Sequence, residues 1–184
     1  MKTNTAIKVT TAFVVLAVSI TLFYQTSWSY TAGSPNACTG SPADKQTCAQ
    51  AECHEGTAIF KDGLIKSNIP ADGYTPGTTY TITATAYGST TAKRFGFQVS
   101  PQSITGELLG TLIVTNSAET KLTGKGKYIT QKDMGVDGRA YKSWSFKWTA
   151  PKAGTGKVIF YGCFLIGGKV EAIFTSKMPV NEQK

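Results

Sequence analysis

Histidine is almost absent from this chain: His54 is the only one among 184 residues, so any imidazole chemistry has to be centred there. Acidic residues are scarce too, 11 against 19 Lys and Arg, for a formal net charge of +8. The basic residues are scattered and form no stripe, and no helix-turn-helix, zinc-finger or aromatic RNA-binding signature accompanies them. This excludes nucleic acid as the natural partner and leaves loose contact with anionic surfaces. The acids Glu52, Glu55, Asp62, Asp133 and Asp137 are unpaired by any spacing rule, so no general acid–base couple is indicated and the chain does not read as an enzyme. Beyond the N-terminal segment there is no long stretch of 3.6-residue periodicity, which excludes a helical fold.

The N-terminus has Lys2 and Lys8 ahead of the apolar stretch "TTAFVVLAVSITLF". That run is short for a spanning helix, which takes about 20 residues, and it matches a secretory signal. The small-x-small site Ser27-Trp28-Ser29 places the mature start near Tyr30; left uncleaved, residues 1–29 would instead be a membrane anchor. The expected location is outside the cytoplasm, periplasmic or extracellular at the cell surface. The remainder suffices for one domain with a real core. Residues 30–56 divide into a Gly/Ser/Pro-rich segment too polar to bury much and a Cys/His motif, and residues 57–180 carry short runs of β-branched and aromatic residues in period-two alternation. In "TYTITATAY", Tyr80, Ile82, Ala84 and Ala86 share one face; Phe95, Phe97 and Val99 do so in "RFGFQVSP", and Trp144, Phe146 and Trp148 in "SWSFKWTAP". "GKVIFYGCFLI" is apolar on both faces and predicts a central strand. With "LLGTLIVT", "KYIT" and "EAIFTSKMPV", the reading is an all-β, single antiparallel sandwich of about seven or eight strands.

Four cysteines in an exported chain should be bonded to each other, to a metal or to a cofactor. Two of them stand with the histidine in "TCAQAECHEG" as Cys48, Cys53 and His54. One reading is covalent haem: the two sulfurs form thioethers with the vinyl groups, and the imidazole that follows the second cysteine ligates the iron. The other is a Cys48–Cys53 disulfide closing a short loop, a contribution of about 2 kcal/mol. Zinc fits poorly, because adjacent Cys and His rarely bind one tetrahedral ion together. A Cys–His nucleophile fails because sequence neighbours do not point at each other as that pair must.

The segments "YTPGTTYTITATA", "FGFQVS", "YIT" and "SWSFKWTAPKAGTGKVIFYG", behind an "AGSP" and a Cys-rich motif, make the chain resemble the bacterial reeler-like domain of choice-of-anchor type, related to the reeler domain of eukaryotic extracellular proteins. The resemblance runs from Ala32 to Thr175 and implies the same antiparallel sandwich. Bacterial members carry C-x-x-C-H-x-G where this chain has two extra residues between Cys48 and Cys53. A histidine common in that family is Gln131 here, which makes Met134 the nearest substitute as sixth iron ligand beside His54, with Met178 or an open, water-bound position as alternatives. Cys38 and Cys163 are additions to the family pattern and imply one new disulfide, tying the N-terminal loop to the central strand with about 4–5 kcal/mol of chain-entropy stabilisation. Two functions follow as expectations. One is an extracytoplasmic electron carrier holding one haem c and docking a redox partner protein. The other is a haem-free, disulfide-stapled surface or adhesion module that binds a surface ligand through loops such as Gly88 to Lys93 or Lys132 to Tyr141.

Overall fold

The alternation seen in the sequence becomes two facing sheets. A computed structural model describes residues 32–50, 53–167 and 172–184, and the expected signal segment lies outside these. The strands are β1 (Ile59–Phe60), β2 (Ile65–Ser67), β3 (Thr79–Tyr87), β4 (Arg94–Gln102), β5 (Thr111–Ile113), β6 (Thr120–Thr123), β7 (Tyr128–Gln131), β8 (Tyr141–Thr149), β9 (Val158–Gly167) and β10 (Ala172–Val180). The larger sheet has the order β1-β10-β9-β4-β7-β6 and the smaller β2-β3-β8-β5. The sandwich is therefore as expected, but with ten described strands in place of seven or eight. The additions are β1, β2 and β6, two to four residues each, too short for a period-two pattern to register.

β3 and β8 pair antiparallel with Tyr80 opposite Trp148, Ile82 opposite Phe146 and Ala84 opposite Trp144, so these four rings face inward. Outside, Thr79 meets Thr149, Thr83 meets Ser145 and Thr85 meets Ser143 through hydroxyl hydrogen bonds of 2.8, 3.2 and 2.8 Å. β9 is central, flanked by β10 and β4, and its inward residues Val158, Phe160, Phe164 and Ile166 are buried. Gly162 lies among them, where a Cβ would come within 3.0 Å of Ile65 Cδ1 and Val99 Cγ2, so a bare backbone lets the two sheets close at this point. Each indole completes its burial with a donor bond, Trp144 Nε1–H to Gly135 O at 2.7 Å and Trp148 Nε1–H to Leu109 O at 2.9 Å. Trp144 stacks on Phe97 at 4.3 Å between centroids, and Trp148 meets Tyr74 and Phe160 edge-on at 5.5 and 5.0 Å.

The alternation in β4 predicts an apolar face and a wet one, and here the structure differs. Gln98, Ser100 and Gln102, on the face away from the sandwich interior, are 0% exposed. Gln98 and Gln102 bond to the N-terminal segment and Ser100 to Lys127 O; the described residues 32–50 of that segment contain no helix or strand yet pack as a strap across the outside of the larger sheet.

Because Trp148 joins three elements of the core, Trp148→Ala should lower the unfolding free energy in urea by about 3–5 kcal/mol. A loss below about 1 kcal/mol would mean that the inter-sheet core is not packed as described.

Candidate functional site

The strap begins at Ser34, whose amide donates to Thr130 Oγ1 at 3.0 Å, and continues to Cys38, whose amide donates to Gln98 Oε1 at 2.7 Å. The Gln98 amide returns a bond from Nε2 to Pro35 O at 2.6 Å, so one strand glutamine holds the strap from two sides. Gly40 then crosses β10 with φ +75°, where a Cβ would meet Thr175 Cγ2 at 2.7 Å. Without a side chain the strap can lie flat on the strand.

Asp44 is the strap's main anchor. Its carboxylate accepts hydrogen bonds from Thr39 Oγ1 at 2.5 Å, Tyr128 OH at 2.8 Å and Gln102 Nε2 at 3.2 Å, with Lys127 Nζ at 3.6 Å. Burial pushes this carboxyl up, but the donors Thr39, Tyr128 and Gln102 and the Lys127 charge outweigh it, and the group titrates below the ordinary carboxylate range. Tyr128 is shifted the other way, its phenol raised by burial and by its bond to the Asp44 anion. Asp44 carries no local signal in the sequence, since a lone Asp in a Ser/Pro-rich loop has the pattern of any solvated acid.

The cysteines lie under and beside the strap. Cys163, on the outer face of β9 between Gln98 and Thr175, is fully buried. Its Sγ accepts the Cys48 amide at 3.2 Å. Cys48, Cys163 and Ile173 form a small second core, with Ala49, Ala58 and Leu165 packed against it. The Cys48 thiol also bonds to the Cys163 sulfur, which together with burial raises the Cys48 thiol well above its ordinary value. That same bond lowers Cys163 against the effect of burial, helped by the amides of Cys48 and Phe164. Cys38 sits 3.7 Å from Asn36 O, its thiol raised by burial. Cys53 is half-buried, and its amide and that of His54 both donate to Gln50 O at 2.9 Å. All four sulfurs are thiols in this structure.

This arrangement does not fit the haem expectation. Thioether formation needs the Cys48 sulfur beside Cys53 and facing a porphyrin edge, whereas Cys48 is turned to β9 and engaged with Cys163. Met134 is 72% exposed on the turn after β7, and β10, β9 and β4 lie between β7 and β1, the strand that follows His54. Gln131 is occupied structurally: its Oε1 accepts the Phe97 amide at 2.8 Å and the Thr130 hydroxyl at 3.0 Å. Among the described residues there is no group of three or more His, Cys, Asp or Glu placed to hold a metal ion.

At one end of the sandwich, the two loops singled out in the sequence come together. Gly88 N–H donates to Ala140 O at 2.7 Å and Gly138 N–H to Lys93 O at 3.0 Å. Tyr87 and Tyr141, paired across β3 and β8, are 47% and 58% exposed with rings 6.4 Å apart. Lys61 Nζ reaches over Tyr87 at 5.9 Å and Phe174 at 5.2 Å, and Lys93, Arg94 and Arg139 are exposed on the same loops or at their ends.

Scanned against protein-family models, the chain matches none, and a search of the curated proteins likewise finds no match. Solved structures do share the architecture. The human F-spondin reeler domain (fragment 1) aligns with a TM-score of 0.54 at 23% identity, over 71% of this chain and 96% of that one. A structure of the Reelin-N domain of F-spondin gives 0.54 at 24% identity, over 71% and 94%. A second fragment of the human domain gives 0.50 at 22%, over 67% and 96%. The chain thus has a reeler-like β-sandwich fold, as the resemblance implied.

Asp44 supplies the prediction for this site. Its carboxyl is depressed in the folded state, so its contribution is complete above the unfolded value, about pH 4, and is lost as the pH falls through the folded value. Asp44→Asn should cost about 1.5–3 kcal/mol in urea at pH 7. It should also flatten the acid limb of the stability–pH curve, and an unchanged acid limb would contradict the assignment.

Proposed function

We propose that the chain is an exported, non-catalytic binding module whose loop end, around Tyr87 and Tyr141, takes an acidic polysaccharide. The observation that carries the reading is the meeting of two loops about an exposed tyrosine pair with Lys61 beside it. Flat rings offer amphipathic contact area at small entropic cost, while Lys and Arg supply charge-assisted bonds to carboxylate or sulfate groups. The net charge, +8 for the chain and +6 without Lys2 and Lys8 of the signal-like N-terminus, supports an anionic partner, and that N-terminus supports export. The reeler-like fold is compatible with this role without specifying it. The electron-carrier reading is weaker, because it would require Cys48 to leave its place against Cys163.

The full chain should be retained on immobilised heparin, used as a model polyanion, and should elute with rising salt. The double substitution Tyr87→Ala, Tyr141→Ala should weaken binding about tenfold, as loss of roughly 1.4 kcal/mol implies, and Lys61→Ala should lower the salt needed for elution. Retention unchanged by all three substitutions would overturn the assignment of the site. A red product from cells competent in cytochrome c maturation, with a Soret band surviving acid-acetone extraction, would overturn the haem-free reading.

A further inference from the structure

The residue whose backbone amide meets the Cys163 sulfur is Cys48, whereas the resemblance implied a bond from Cys163 to Cys38. We propose that Cys48 and Cys163 are a disulfide-forming site that covalently fastens the strap to β9. Three observations meet here. The Cys48 amide lies 3.2 Å from Cys163 Sγ, so the two residues are already in contact across a separation of 115 positions. The two side chains share a small apolar cluster with Ile173, in which Cys38 and Cys53 take no part. Both side chains are buried, 9% and 0% exposed, on the outer face of the larger sheet that the strap covers.

The chemistry balances with an external disulfide as oxidant, either a thiol–disulfide oxidoreductase of the exported compartment or oxidised glutathione in solution. Cys48 lies on the strap and becomes accessible when the strap lifts; Cys163 lies on the sheet. A Cys48 thiolate attacks the oxidant, forming a mixed disulfide and releasing one oxidant thiolate. The Cys163 thiolate then attacks the Cys48 sulfur, the new S–S bond forms, and the second oxidant thiolate leaves. Two protons and two electrons pass from the protein thiols to the oxidant, which is reduced to its two thiols. Closing so long a loop restricts the unfolded chain strongly, so the oxidised protein should resist heat and denaturant better than the reduced one.

The test uses the full chain, refolded with a glutathione redox buffer, alkylated, and digested without reduction by trypsin and a Glu-specific protease. Cleavage after Lys45 and Glu52 separates Cys48 from Cys38 and Cys53. Mass spectrometry should find the Cys48 peptide linked to the Cys163 peptide, which disappears on reduction. The oxidised protein should also melt roughly 10 °C above the reduced one. That gap should vanish in Cys48→Ser and persist in Cys53→Ser. Finding Cys48 linked to Cys53, Cys163 linked to Cys38, or both Cys48 and Cys163 alkylated would overturn the proposal. The peptide map needs no variant, so it decides the matter even where Cys163→Ser fails to fold.

Discussion

A buried amide or hydroxyl has to find a partner, and on β4 three such side chains point away from the sandwich interior. Gln98, Ser100 and Gln102 would be unremarkable on a wetted sheet, but here they lie under protein. Gln98 is satisfied by Pro35 and the Cys38 amide, Ser100 donates to Lys127 O at 2.7 Å, and Gln102 donates to Asp44 through Nε2 while its Oε1 has no partner among the described residues. The dependence is mutual. A strap with no ladder of its own stays ordered only because the sheet supplies donors and acceptors in register with it, and Asp44 adds the charge-assisted part of that contact.

The strap explains the unusual composition of the larger sheet. A sandwich sheet normally needs one apolar face, and this one has it in Phe95, Phe97, Val99, Phe160 and Phe164. Its other face is polar in the middle, where Gln98, Thr130 and Tyr128 meet the strap, and becomes apolar toward β10, where Cys163 and Ile173 meet Cys48. The N-terminal segment therefore attaches in two ways, by hydrogen bonds at one side and by sulfur and aliphatic packing at the other. Among the described residues the opposite sheet has no such cover, and it presents paired hydroxyls to water.

What could be read beforehand divides along the same physical line. β3, β8 and β9 were legible because nine or ten residues of alternation or continuous apolarity leave little choice of structure, and Tyr80, Trp144 and Trp148 lie on the core side as expected. β4 was legible as a strand but not for the fate of its polar face, since a covered glutamine and a wet one have the same letter in the sequence. Asp44 was illegible because its partners Tyr128 and Gln102 lie 84 and 58 positions away. The neighbourhood of Cys48 and Cys163 was hidden for the same reason, since the two lie 115 positions apart.

The claim that the strap is an integral layer, and not a loose leader to the sandwich, is tested most directly by amide hydrogen exchange on the full chain at neutral pH. The amides of Cys38 and Cys48 donate to Gln98 Oε1 and Cys163 Sγ, groups carried by the central strands. If the strap is part of the fold, these amides exchange orders of magnitude more slowly than an unstructured segment, with protection approaching that of β4 and β9. Exchange at the rate of a free peptide, with β4 and β9 still protected, would contradict the account.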